Sequence, residues 1–252
     1  MSTAQASSTN KYGVSENVSI IVRPQNPYEA YATLQSVLSK MPFYIKNGYT
    51  VVLPEDEEIK NIATDPSRLQ AISPEVLGSR FINDIYRLSD FSLSLAKISS
   101  EITEIKNIMP ILGKMHSSWN FKIFPEYTIL LTLYGPGGNY NAETGTILIR
   151  ASADGKFQFP ILQNIIHEMT HLGIEENIIK KYTLSHLEKE SLVTMMCQIN
   201  FGDLFVKTRD TDTLNNPFNK LLTNESINNV PKMVEGYVLK YPRTGDKFNL
   251  SI

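Results

Sequence analysis

Cysteine, tryptophan and histidine are scarce in this 252-residue chain, which holds one Cys, one Trp and four His. A lone cysteine, Cys197, excludes an intramolecular disulfide framework and any multi-cysteine zinc cluster, so a metal ion would have to be held by His and carboxylates. A reducing compartment fits such usage best. Charge of one sign is also missing: 24 basic against 26 acidic residues leave a formal net charge of −2. That balance gives no broad electrostatic footprint for nucleic acid or for an anionic membrane. No apolar run reaches the roughly 18 residues that a membrane-spanning helix needs. The polar start MSTAQASSTNKYGVSEN lacks the basic-then-apolar order of a secretory signal. The expectation is a cytoplasmic chain with no membrane span and no nucleic-acid partner, delivery by a route without a cleaved signal being left open.

What is present is 42% apolar residues, enough to furnish a core without staples. Residues 1–16 read as a flexible tail, and 17–252 as one domain, with sheet and scaffold helices over 17–159 and a helical part over 160–252. VSIIV (Val18 to Val22) reads as a strand. Asn26 and Pro27 then open a helix whose stripe runs Tyr28, Tyr31, Leu34, Val37/Leu38, Met41. GYTVVLP reads as a strand and EDEEIKNI as a surface helix or loop. From Ser73 apolar residues recur every three or four positions, from Leu77 through Phe81, Ile85, Leu88, Phe91 and on to Met109. That spacing predicts one long scaffold helix, or two in line, ending before Pro110. Three strands follow, around Phe121 to Phe124, Tyr127 to Tyr134 and Thr146 to Arg150, and imply a small antiparallel sheet in an α+β fold. GPGGNYN lacks the Lys-Ser/Thr ending of a phosphate loop and reads as a turn.

The chemistry concentrates in NIIHEMTHLGIEE, Asn164 to Glu176. Pro160 suits the first turn of a helix anchored by Ile161, Leu162, Ile165, Ile166, Met169 and Leu172 and ending near Gly173. His167 and His171 then project from one face, spaced to bind a single Zn²⁺, while Glu168 is turned by about 100° and can reach a water instead of the metal. A catalytic zinc needs a third protein ligand, and His186, Glu188 and Glu190 are in range. Ser185 to Glu188 fits a capping box, which occupies Glu188 at the helix start. Glu190 lies about 200° further round that helix and points the other way.

HEMTH followed about twenty residues later by a glutamate on a second helix, with a strand ahead of the first, resembles the gluzincin group of zinc metallopeptidases. The resemblance covers roughly Tyr134 to Phe201. It implies a zincin-like fold, with an edge strand packed on the active-site helix, and zinc held by His167, His171 and Glu190. It also implies Glu168 as the general base of peptide hydrolysis, with a peptide or protein as substrate. Thr194 stands where gluzincins often place an Asp that orients a zinc-binding His, so that support is made by the Thr hydroxyl, supplied elsewhere, or weaker. A different class of reading keeps the fold but makes the chain a binding or regulatory protein with a structural or vestigial metal site. Among other residues, His186 reads as an exposed first-turn residue, His116 as a loop residue, Cys197 as core, and Glu175 and Glu176 as solvated charges. Tyr237, Tyr241 and Arg243 are candidates for an oxyanion donor. Thr146 to Arg150 is a candidate edge for an extended substrate, with Arg150 favouring an acidic group.

Overall fold

The computed structural model describes residues 18–204 and 226–241. The tail over 1–16 and Arg243 lie outside the described residues. The fold is α+β, mostly helical, around a four-stranded sheet: β1 (Ser19–Pro24), β2 (Glu126–Thr132), β3 (Gly138–Asn141) and β4 (Thr146–Arg150), in the order β1-β2-β4-β3. Contrary to the antiparallel expectation the sheet is mixed. β1 lies parallel to β2, from Ser19 opposite Glu126 to Pro24 opposite Leu131, and β2 lies parallel to β4. The helices between β1 and β2 supply the long crossover that a parallel pair requires.

Only β3 runs antiparallel, on β4. It falls within the stretch read as a turn, because Gly145, at φ +70°, closes a reversal in which its N–H bonds to the Asn141 carbonyl at 3.0 Å. β4 is therefore interior and β3 is the edge. The strand expected at Phe121 to Phe124 does not form. Phe121 instead drives its ring against Gly173, where an added Cβ would stand 1.9 Å from the ring, and Lys122 N–H bonds to the Gly173 carbonyl. Of GYTVVLP only Val52 pairs, in an isolated bridge to Gly135.

The first helix is α1 (Pro27–Ser39), capped by Asn26 in a capping box with Glu29. After α2 (Met41–Lys46), EDEEIKNI yields α3 (Glu57–Thr64), which is capped by Asp56 and buries Ile59, Ile62 and Ala63. The long scaffold helix is broken into α4 (Pro74–Arg80), a π-helical turn at Phe81–Ile85, a 3-10 turn at Leu88–Phe91, and α5 (Ser92–Asn107). Its apolar spacing is continuous but serves two cores. Phe81 belongs to a smaller one with Leu34, Leu38, Ile59 and Ile62, whereas Phe91 belongs to the main one, and Tyr86 at the break touches both. The extended backbone at Tyr86 and Arg87 re-aims the stripe, and Tyr86 Oη is tied to the Gln25 carbonyl at 2.6 Å. The helix does end before Pro110, at Asn107, and Pro110 sits in the first turn of the next, α6 (Met109–Trp119), where a missing N–H costs nothing.

The sheet places Tyr127, Ile129, Leu131, Ile147 and Ile149 in the main core, against α7 (Ile161–Ile174). A second π-helical turn, Glu175–Lys180, leads on to α8 (His186–Phe201), and α9 (Val230–Lys240) follows. Among the described residues no helix is long and apolar enough to cross a membrane.

Candidate metal centre

α7 starts after Pro160, which stands at its N-cap, and Ile161, Ile165, Ile166, Met169 and Leu172 are buried along one side. With that stripe fixed, the helical period delivers His167 and His171 to one face. α7 ends at Ile174, one residue past Gly173, close to where the sequence places its end. The glycine is there because the Phe121 ring fills the space a side chain would take. The chain then reverses through the π-helical turn and Thr183, at φ +51°, and re-enters as α8.

The start of α8 is fixed by the capping box. Ser185 Oγ accepts from Glu188 N–H, and Glu188 Oε2 accepts from the Ser185 N–H at 2.8 Å. Glu188 is nevertheless buried, not turned to solvent: its Oε1 accepts from the Tyr237 hydroxyl at 2.9 Å. Half a turn on, Glu190 faces the histidines. Its Oε2 lies 3.2 Å from His167 Nε2 and 3.3 Å from His171 Nε2, and the two Nε2 atoms are 3.0 Å apart.

Two donors about 2.0–2.1 Å from one ion at a tetrahedral angle stand roughly 3.3–3.4 Å apart. The three donor separations approach that edge length, and His167, His171 and Glu190 form the group of metal-capable side chains among the described residues. Two of the three protonation states suit the same use; His167 departs from it, since burial favours its neutral ring but the groups around it, Cys197 and Glu190 first, hold it well above its ordinary value. Burial pushes His171 down to about 4, so its ring is neutral at pH 7, the form that ligates. Burial opposes charge on Glu190, but the neighbouring His171 and His167 outweigh it and hold the carboxyl well below its ordinary range. The residues present thus fit a zinc ion.

Glu168 is buried between this cluster and the edge strand. Desolvation is the main cause that pushes its carboxyl up to about 7. Its Oε1 occupies the space over Gly138 of β3, where an added Cβ would stand 2.2 Å from it and 2.8 Å from Asn164 Oδ1. Gly138 is therefore part of the site, a role hidden inside a stretch that reads as turn chemistry.

Other assignments change. Glu175 is buried and accepts a hydrogen bond from the Tyr140 hydroxyl at 2.7 Å, so it is no solvated charge, whereas Glu176 is exposed and pairs with Lys180. His116 lies in α6, not in a loop, with Nδ1 2.7 Å from the Phe121 carbonyl oxygen. His186 is half-buried. Its Nδ1 stands 3.8 Å from Glu190 Oε1, and its Nε2 contacts the Tyr49 hydroxyl. Arg150 is committed to loops, donating to the Gly135 carbonyl at 2.8 Å and Gln158 Oε1 at 2.6 Å, and β4 has no free edge for a substrate because β2 and β3 flank it. Tyr237 engages Glu188, and Tyr241 packs beside Tyr237 at the end of α9.

The orienting groups differ from those expected. Thr194 makes no side-chain hydrogen bond among the described residues. One turn further along α8, the fully buried Cys197 lies within interaction range of the His167 ring, and its thiol donates to Thr170 Oγ1 at 3.4 Å. His171 Nδ1 is buried without a partner among the described residues, and the Tyr140 ring lies flat on the His171 ring. No local pattern marks Cys197 or Tyr140 for these positions. No protein-family model, no curated protein and no solved structure matches the chain.

Proposed function

We propose that this chain is a zinc-dependent peptide hydrolase with a zincin-like fold of gluzincin type. The convergence of His167 Nε2, His171 Nε2 and Glu190 Oε2, each pair within 3.3 Å, carries the reading. Zinc bound there supplies Lewis acidity and an activated water near neutral pH. The two histidines and Glu190 would hold the ion from two helices. Glu168, buried beside them with its carboxyl pushed up to about 7, is matched to proton transfer at neutral pH. It takes the proton of the attacking water and returns it to the departing amine. The outer edge of β3 is unpaired among the described strands and lies beside Glu168, so an extended peptide added there would bring its backbone past the carboxylate.

The direct test is metal analysis of the purified, zinc-reconstituted chain together with peptide digestion by the parent, His171→Ala and Glu168→Gln. The expected pattern is stoichiometric zinc in the parent, loss of zinc in His171→Ala, and retained zinc with lost hydrolysis in Glu168→Gln. A parent without zinc above background would refute the proposal. A second reading, a binding protein with a vestigial centre, draws on the unpartnered His171 Nδ1 and on Tyr237 being engaged by Glu188. It requires that the parent and Glu168→Gln bind zinc and are equally inert towards peptides.

A further inference from the structure

A histidine that ligates metal through Nε2 is ordinarily oriented by a hydrogen bond from its other ring nitrogen to a carboxylate, carbonyl or water. His171 lacks that support, since its Nδ1 is buried without a partner among the described residues. It has a flat neighbour instead. The Tyr140 ring stacks on the imidazole with centroids 4.9 Å apart and planes 11° from parallel. Turning the imidazole about its Cβ–Cγ bond would drive its edge into that face, so the stack blocks the rotation that a hydrogen bond would otherwise prevent.

The tyrosine is itself held from two sides. Its hydroxyl donates to Glu175 Oε2 at 2.7 Å, just beyond the end of α7, and Lys189 Nζ stands 3.3 Å from the hydroxyl oxygen. Lys189 adjoins Glu190 in the chain and also lies 5.3 Å from the ring centroid, within cation–π range. β3 carries the ring, α7 carries the histidine it covers, and α8 carries the lysine beside it. The three elements that build the centre therefore meet at this side chain.

We propose that Tyr140 is a positioning residue for the metal centre: its ring fixes His171 at the ligating angle, and its hydroxyl, tied to Glu175 and Lys189, fixes the ring. The inference rests on the zinc reading above. It is tested in the full chain by measuring the zinc dissociation constant against a chromophoric chelator, and the visible spectrum of the Co²⁺ form, for the parent, Tyr140→Leu and Tyr140→Phe. Tyr140→Leu is expected to weaken zinc by about 10–100-fold, the scale for loss of an orienting partner of a metal-binding His, and to alter the cobalt spectrum. Tyr140→Phe keeps the stack and loses the tether, and is expected to weaken zinc by about tenfold, the lower end of that scale. A role in packing alone would lower the melting temperature of the metal-free protein and leave both metal readouts unchanged. An unchanged zinc constant in folded Tyr140→Leu, or in Tyr140→Phe should the leucine variant not fold, overturns the inference while the zinc reading stands. A parent that binds no zinc overturns both.

Discussion

Glu188 and Glu190 are two residues apart on one helix, and replacing each with alanine should produce failures of different kinds. Glu190 supplies a donor oxygen within 3.3 Å of both histidine Nε2 atoms, so Glu190→Ala should abolish tight zinc binding and leave the start of α8 intact. The Glu188 carboxylate accepts from Ser185 N–H at 2.8 Å, Ser185 Oγ at 2.8 Å and the Tyr237 hydroxyl at 2.9 Å. Loss of a helix cap costs about 0.5–2 kcal/mol, and a hydrogen bond to a charged group contributes about 1.5–3 kcal/mol. Because Glu188 is buried, neither contribution is diluted by solvent, and Glu188→Ala should cost about 2–5 kcal/mol, more than a cap alone. Glu188→Gln retains an acceptor oxygen and should cost less. The assay is denaturant unfolding of the metal-free proteins, read at constant m-value, beside zinc titration of each. Should Glu188→Ala lose zinc while Glu190→Ala keeps it, the division of labour between cap and ligand would be refuted.

Gly138→Ala would place a methyl 2.2 Å from Glu168 Oε1; zinc should be retained while kcat/KM for a peptide falls about 100-fold, the scale for a misplacement of about 1 Å in a reacting group. Gly173→Ala would set a Cβ 1.9 Å from Phe121 Cζ, and calorimetry should register about 1–3 kcal/mol of destabilisation, the cost of overpacking a core. Glu29 is held below the ordinary carboxylate range chiefly by its hydrogen bond with Arg23. A depressed folded pKa means the unfolded chain binds the proton more readily, so this stabilisation is present above the unfolded pKa, about 4.3, and is lost as pH falls through the folded value. Glu29→Gln should accordingly flatten that part of the acid limb in a plot of stability against pH, and an unchanged limb would refute the assignment.

The parts of this site that could be read from the sequence are those set by local geometry. A spacing of four put His167 and His171 on one helical face, and the Ser185–Glu188 capping box separated Glu188 from Glu190 within a single turn. What escaped depended on contacts between distant segments. β3 was hidden because Gly138 to Asn141 has turn composition and is held as a strand by pairing with Thr146 to Ile149. Gly173 looked like a helix stop, yet its need for hydrogen in place of a side chain arises from Phe121. Tyr140 and Cys197 meet the histidines from 31 and 30 positions away, His171 and His167 respectively, and neither occupies a recognisable motif. The break between the two helices from Leu77 to Met109 escaped for a related reason: regular apolar spacing leaves one helix or two in line open and does not reveal that successive turns serve different cores.

That division of the apolar stripe has a consequence for the order of assembly. The buried residues of the smaller core, Ala30 to Phe81, come from one stretch of chain, with Tyr134 packed against them from further on, whereas the sheet cannot form until Ser19 meets Glu126. Closing a loop of that length is entropically costly before any contact rewards it, and folding slows as such distant pairings accumulate. The α1, α3 and α4 helices should therefore acquire amide protection ahead of β1 and β2 in pulse-labelled hydrogen exchange, and simultaneous protection would contradict this order. α7 packs on the late-forming sheet, and α8 packs on α7. A chain emerging in synthesis would carry His167 and Glu190 past the point of translation well after its first core had the residues to condense, so the proposed metal site would be completed only in the closing stage of folding.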